Sequence, residues 1–216
     1  MAQFLSVHPT HPEPRLVRRA AAIVADGGVV AYPTDSSYAV GCRIGAVDGL
    51  RRIRALRGID ERHHLALLCR DLADVGRYAY LDNRQYRIVR SAWPGPFTFL
   101  LKATRAVPRA FKHAKRDTIG IRIPSHPFVR ALLAELREPL ASSTLIPPGE
   151  TAALPDAAAV RARYERVLDA VVDAGAAPSL LTTVIDLTVT PPAIVRQGAG
   201  DPMALGLVAA GTTELG

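Results

Sequence analysis

The chain has 216 residues, 49% of them hydrophobic and 22% charged, which is enough for one substantial core and ordinary for a globular protein. It has no apolar run near the roughly 20 residues that cross a bilayer. Its two cysteines, Cys42 and Cys69, lie inside apolar runs and exclude a disulfide framework or a cysteine metal site. The net charge of +7 points to an anionic partner such as a nucleotide, a nucleic acid or a phosphorylated metabolite, although an arginine-rich surface without a ligand accounts for it equally well.

The opening "MAQFLSVHPTHPEP" has no basic start and no long apolar stretch, so a reduced, cytoplasmic protein is expected. Leu16, Val17, Ala20, Ile23 and Val24 recur at helical spacing and stop at Gly27-Gly28. A short buried strand, Val29 to Tyr32, follows, and Pro33 is expected to end its ladder. "AVDGLRRIRALRG" predicts a helix with Val47, Leu50, Ile53 and Leu56 inward and Arg51, Arg52, Arg54 and Arg57 on other faces. Then come a strand "LALLC" and two helices around "DLADVGRYAYL" and "DNRQYRIVRSAW". "WPGP" breaks the helical pattern before a strand "FTFLLKA".

In the second half "TIGIRIP" predicts a strand, "HPFVRALLAELRE" a helix, "PLASSTL" a strand and "AAAVRARYERV" a helix. "TTVIDLT" and "AIVRQG" are two strands joined at Pro191-Pro192. Strands and helices interleave without strict alternation, so the fold class is α/β (α+β): a twisted open mixed sheet flanked by helices, with a large basic cleft. A single domain over 1–216 is expected, its core about 13–200 and its tail 203–216 weakly patterned.

Three strand boundaries carry hydroxyl clusters: Thr34/Ser36/Ser37, Ser142/Ser143/Thr144 and Thr182/Thr183. Each alone is a turn or a cap; together they fit one cleft at a sheet edge. Arg122 and Arg196 lie within apolar strands and need a partner if buried, either a bound carboxylate or phosphate or an internal acid such as Asp186. Arg109 to Arg116, "RAFKHAKR", is a basic cluster that reads as a solvated surface or as a phosphate contact. His63-His64 and His8/His11 lack partners at metal-ligand spacing, and neither a phosphate-binding P-loop nor a Gly-x-Ser-x-Gly elbow is present.

"GGVVAYPTDSSYAVGC", "WPGPFTFLLKA", "TIGIRIPSHP", "EPLASST", "TTVIDLT" and "IVRQG" resemble, in order and spacing, the motifs of the YrdC-like superfamily. "RALRGIDERHHLALLCRDL" and "EPLASSTLIPPGE" are most similar to its YciO branch. The resemblance covers about Gly27 to Gly198. It implies a threonylcarbamoyl-AMP synthase-like activity, in which L-threonine, bicarbonate and ATP with Mg²⁺ give threonylcarbamoyl-AMP and pyrophosphate, feeding tRNA threonylcarbamoyl-adenosine modification. By the same resemblance Thr34 and Arg122 hold the threonine, with Arg122 as the carboxylate clamp. Arg57, Ser142, Thr144, Thr182 and Arg196 handle the nucleotide, Arg57 and Thr144 carry the catalysis, and no tightly bound metal is expected.

Two departures stand out. The superfamily's Lys-x-Arg aligns with Arg57-Gly58-Ile59, and its Ser-x-Asn with Thr144-Leu145-Ile146. Each lost charge-assisted contact costs on the order of 1.5–3 kcal/mol. The expected outcomes are a synthase, weak or altered in substrate, or a non-catalytic protein that binds a nucleotide, the ribosome or structured (double-stranded) RNA, in which case Lys112, Lys115 and Arg116 would contact the RNA.

Overall fold

A computed structural model describes residues 1–60, 63, 65–112 and 116–207. Its helices follow their local signals. α1 (Pro14–Ala25) starts with proline in its first turn and buries Val17, Ala20, Ala21, Ile23 and Val24. α2 (Val47–Arg57) stops at Gly58, whose φ of 63° is left-handed. α3 (Leu72–Tyr78) is capped by Asp71, whose side chain accepts from the Asp74 N–H. α4 (Asn83–Ala92) opens with a capping box between Asp82 and Gln85. α5 (Pro127–Leu136) again has proline in its first turn, and α6 (Ala157–Tyr164) is capped by Asp156.

The strands are β1 (Gln3–Ser6), β2 (Val30–Pro33), β3 (Tyr38–Arg43), β4 (Ala66–Leu68), β5 (Phe97–Lys102), β6 (Thr118–Arg122), β7 (Leu140–Thr144), β8 (Ala170–Asp173), β9 (Thr183–Asp186) and β10 (Ala193–Arg196). They form one mixed sheet in the order β1-β8-β2-β3-β7-β4-β6-β5-β9-β10. β8 runs parallel to both β1 and β2, β4 parallel to β6, and β5 parallel to β9; the other neighbours are antiparallel.

Alternation along the strands divides the side chains between two faces. On one, α2, α3, α4 and α6 cover Val40, Leu67, Phe99, Ile121, Ala141 and Ile185 in a continuous core. On the other, α1 and α5 cover Val30, Tyr32, Ala39, Leu68, Leu140, Ala170 and Val172. This second cover stops short of β6, β5 and β9. The residues of β5, β6 and β9 that face that side, Thr98, Leu100, Gly120, Arg122 and Val184, line an open cleft instead.

Several expectations are corrected. The strand expected over Val29 to Tyr32 runs one residue later: Pro33 is the last residue of the β2 ladder, where it pairs with Tyr38, and residues 34–37 are the turn of a β2–β3 hairpin closed by Thr34 N–H to Ser37 O at 3.0 Å. Val47, expected inward, is 65% exposed because it starts α2 at the surface. Arg57, placed on an outer face, is buried at the other end of that helix. β1 and β8 were not expected from the sequence, and β1 carries the sheet beyond a core starting at about residue 13. Of the tail, Pro202–Leu205 forms a 3-10 turn, and residues 208–216 lie outside the described residues.

Candidate active site

The cleft encloses about 470 Å³. Ser142, Ala66, Gly120 and Leu100 lie in register across β7, β4, β6 and β5 and form its floor. A methyl group on Gly120 would sit 3.1 Å from the Leu65 carbonyl and 3.3 Å from Thr98 Cγ2. The floor stays low at Ser142, Ala66 and Gly120, where the residues are small. All three hydroxyl clusters reach this space, through Thr34 and Ser37, Ser142 to Thr144, and Thr182. They meet over a sheet face left bare by α1 and α5, not at the sheet edge that the sequence suggested.

Polar groups gather in two corners. In the first, Arg122 is 6% exposed. Its Nη1 donates to Ser36 Oγ at 3.0 Å, and its Nη2 lies 2.8 Å from Asp35 Oδ1. The Ser125 N–H donates to the same carboxylate oxygen at 3.3 Å, so the β2–β3 turn is latched to the segment after β6. Burial pushes the Asp35 carboxyl up, but the Arg122 charge beside it, with the hydrogen bonds, holds it below the usual carboxylate range. Asp35, not Asp186, is therefore the internal partner of Arg122. Thr34 Oγ1 donates to Ser37 O at 2.8 Å and accepts from the N–H groups of Ser36 and Ser37 at 3.1 and 3.2 Å. Thr34 lines the cleft with its hydroxyl proton already committed to its own turn.

In the second corner Arg57 reaches from the end of α2 to the end of β7. Its Nε donates to Ser143 Oγ at 3.1 Å and its Nη1 to Ile146 O at 2.6 Å. Arg196 grips Thr182 with Nε and Nη2 on the carbonyl at 3.1 and 3.0 Å, and Nη2 also donates to Thr182 Oγ1 at 3.2 Å. Burial, with the charge of Arg196 added, pushes Arg57 below the ordinary guanidinium range, and partial burial does the same to Arg196. His63 is exposed at the side of this corner; partial desolvation and both guanidinium charges push it down, against the Asp60 charge. Among the described residues neither arginine has an ion-pair partner within 4.0 Å.

Hydroxyl donors remain between the corners. Ser142 Oγ accepts from Tyr32 Oη at 2.8 Å and keeps its own proton to give; burial pushes the Tyr32 phenol up, so it stays a donor. Thr98 and Thr182 hydroxyls are 3.0 Å apart. Thr144 is half-buried on the wall. The Arg-x-Gly segment has a steric cause: a methyl group on Gly198 would lie 2.1 Å from Leu181 O, and the Gly198 N–H donates to Thr183 Oγ1 at 2.8 Å.

A family model, Sua5/YciO/YrdC, described as telomere recombination, matches residues 22–198. The chain belongs to this family. It is 42% identical to the uncharacterized protein YciO of Escherichia coli K12 over 93% of this chain and 98% of that one. It is 34% identical to a threonylcarbamoyl-AMP synthase of Halorhodospira halophila over 76% of this chain and 85% of that one. Among solved structures, E. coli YciO superposes with a TM-score of 0.92 at 41% identity over 95% of this chain and all of that chain. The Sua5 protein of P. abyssi, solved in complex with L-threonine, superposes with a TM-score of 0.83 at 25% identity over 90% of this chain and 57% of that one.

Against the family pattern the two departures differ in kind. Ile59 packs half-buried against the core under α2, so a cation is absent from that position. Ile146 lines the cleft, and its carbonyl anchors Arg57. Sequence reading placed Ser36 in a hydroxyl cluster without linking it to Arg122, and assigned no role to Asp35, Thr98 or His63. Thr98 stands in "WPGPFT", where the motif itself was the signal. Asp35 and Arg122 are 87 residues apart, and nothing local marks them as partners. The basic cluster is partly neutralised. Lys112 Nζ pairs with Asp117 at 2.9 Å and Arg116 Nη1 lies 4.0 Å from Asp186, while Lys115 lies outside the described residues.

Among the described residues no helix is long and apolar enough to cross a membrane.

Proposed function

We propose that the chain is a threonylcarbamoyl-AMP synthase-like enzyme that joins L-threonine, bicarbonate and ATP. The observation that carries this reading is the division of one cleft into a charge-balanced corner at Arg122 and a corner where Arg57 and Arg196 have no ion-pair partner among the described residues. An amino acid and a triphosphate suit that division. The net reaction forms an N–C bond between the threonine nitrogen and the bicarbonate carbon and an O–P bond from the resulting carbamate to the α-phosphorus. It breaks the link to the β-phosphate and releases pyrophosphate and water.

Arg122 would receive the threonine carboxylate. Its Nε is buried with no hydrogen-bond partner among the described residues, and its Nη2 is engaged only in the ion pair with Asp35, so a carboxylate supplies the missing acceptor. Thr34 shapes the wall beside it. Arg57 and Arg196 would draw the phosphates and stabilise charge that develops on the departing pyrophosphate, with Ser142, Thr144 and Thr182 donating from the walls. ATP would arrive as its Mg²⁺ complex. The cleft presents hydroxyl oxygens, and among the described residues no cluster of carboxylates or histidines, a donor set suited to a metal that keeps its water and phosphate ligands.

The reading is tested by thermal-shift titration with L-threonine and with ATP. A ligand that binds only the folded protein raises the melting point by mass action. Threonine should stabilise the wild type and fail to stabilise Arg122→Ala, while ATP should stabilise both. Threonine stabilisation that survives Arg122→Ala would overturn the assignment of the clamp. Salt-sensitive stabilisation by structured RNA, with no response to either small ligand, would favour the binding-protein alternative.

A further inference from the structure

Four of the five buried side-chain polar atoms that lack a hydrogen-bond partner among the described residues belong to one place: Asp35 Oδ2, Arg122 Nε and Nη2, and His126 Nδ1. A native protein leaves few such groups, and each needs an explanation. Here the guanidinium and the carboxylate face each other at 2.8 Å, with side-chain exposures of 7% and 15%. Asp35 itself does not line the cleft; it stands behind Arg122, held by the Ser125 N–H.

We propose that Asp35 is a specificity-determining residue, which cancels the charge of Arg122 and so makes this corner select a zwitterionic α-amino acid over a carboxylate that lacks an ammonium group. The inference rests on the reading of the cleft given above and deepens it. A lone buried guanidinium attracts any carboxylate. Paired with Asp35 it is neutral, and a plain carboxylate then leaves one uncompensated negative charge among buried groups, which is costly. A zwitterion adds no net charge, and its ammonium group offsets the field of Asp35. Burial holds His126 toward its neutral form, although the Asp35 charge opposes this, so it does not restore the positive charge. In the opposite corner neither Arg57 nor Arg196 forms an ion pair among the described residues, so their charge is left for phosphate. Selection by charge and attraction by charge are thus separated within one cleft.

The test compares L-threonine with 3-hydroxybutyrate, the same carbon skeleton without the amino group, by calorimetric titration of the full chain. The wild type should prefer threonine by tenfold or more. Asp35→Asn keeps the shape and an acceptor for Ser125 while freeing the Arg122 charge, and should shrink that preference at least tenfold, mainly by tighter binding of 3-hydroxybutyrate. A merely structural role would weaken both ligands together and leave the ratio unchanged, which overturns the proposal. Equal affinity for the two ligands in the wild type also overturns it, with no variant needed. Failure of the wild type to bind threonine at all overturns the reading of the cleft and, with it, this inference; threonine binding with an unchanged ratio in Asp35→Asn overturns this inference alone.

Discussion

Replacing Arg122 by methionine keeps most of the side-chain stem and removes the charge, leaving Asp35 buried with no ion partner. Breaking a buried pair by deleting one member costs about 3–5 kcal/mol, because the remaining charge stays desolvated. For a chain of this size each kcal/mol moves the melting point by roughly 2–4 °C, so Arg122→Met should melt about 6–20 °C below the wild type at pH 7. The pH dependence has a defined sign. In the wild type the Asp35 pKa lies below its ordinary value, so the pair's stabilisation is present above that ordinary value and is lost as the pH falls through the folded one. Without Arg122 only burial acts strongly on the carboxyl, and burial raises its pKa. The variant should therefore regain stability on going from pH 7 to pH 5, while the wild type does not. Adding Asp35→Asn to Arg122→Met should recover much of the loss at pH 7. Thermal denaturation followed by circular dichroism at the two pH values reads all of this. An Arg122→Met protein that melts with the wild type, or that is not rescued by either acid or Asp35→Asn, would refute the electrostatic account of this corner.

Gly41→Ala would place a methyl group 2.6 Å from Tyr32 Oη and 2.9 Å from Ala141 O; it should lower stability by about 1–3 kcal/mol, with part recovered when Tyr32→Phe is added, as measured by urea denaturation. Gly198→Ala, which forces a methyl group against Leu181 O, should displace Arg196 and weaken binding of inorganic pyrophosphate by tenfold or more in calorimetric titration, and unchanged affinity would refute the steric role of this glycine. Arg57→Ala removes the bonds to Ser143 and Ile146, each worth on the order of 1.5–3 kcal/mol for a charged donor, and should weaken ATP binding by at least tenfold. Ile59→Arg should destabilise the fold without tightening ATP binding, because position 59 faces the core, whereas Ile146→Asn should tighten it several-fold from the cleft wall; the opposite order in a thermal-shift series would refute the placement of these two side chains.

The helices were legible because their buried residues repeat at the helical period and their ends carry proline, aspartate or glycine, as α1, α4 and α2 show. β8 was not legible: four residues between surface segments become an internal strand only by pairing in parallel with β1 and β2, and each partner lies more than a hundred residues away. The same limit applied to the site. The hydroxyl clusters and Arg122 stood out as polar breaks in apolar strands, but periodicity alone could not show that α1 and α5 leave half of a sheet face bare. Nor could it show that Arg57, on a helix face that reads as outward, turns inward to hold β7. The Asp35 of "YPTDSS" reads locally as a turn residue. Its ion pair is a product of the long-range order β3-β7-β4-β6, which lets the β2–β3 turn reach Arg122.

The central claim is that this cleft makes an acyl adenylate from an amino acid. Incubation of the protein with L-threonine, bicarbonate, ATP and Mg²⁺, followed by mass spectrometry for threonylcarbamoyl-AMP with parallel measurement of pyrophosphate, tests it directly. The account predicts product that depends on all three substrates and falls sharply in Arg122→Ala and in Arg196→Ala. Folded wild-type protein at high concentration that releases no pyrophosphate and forms no adenylate would contradict it.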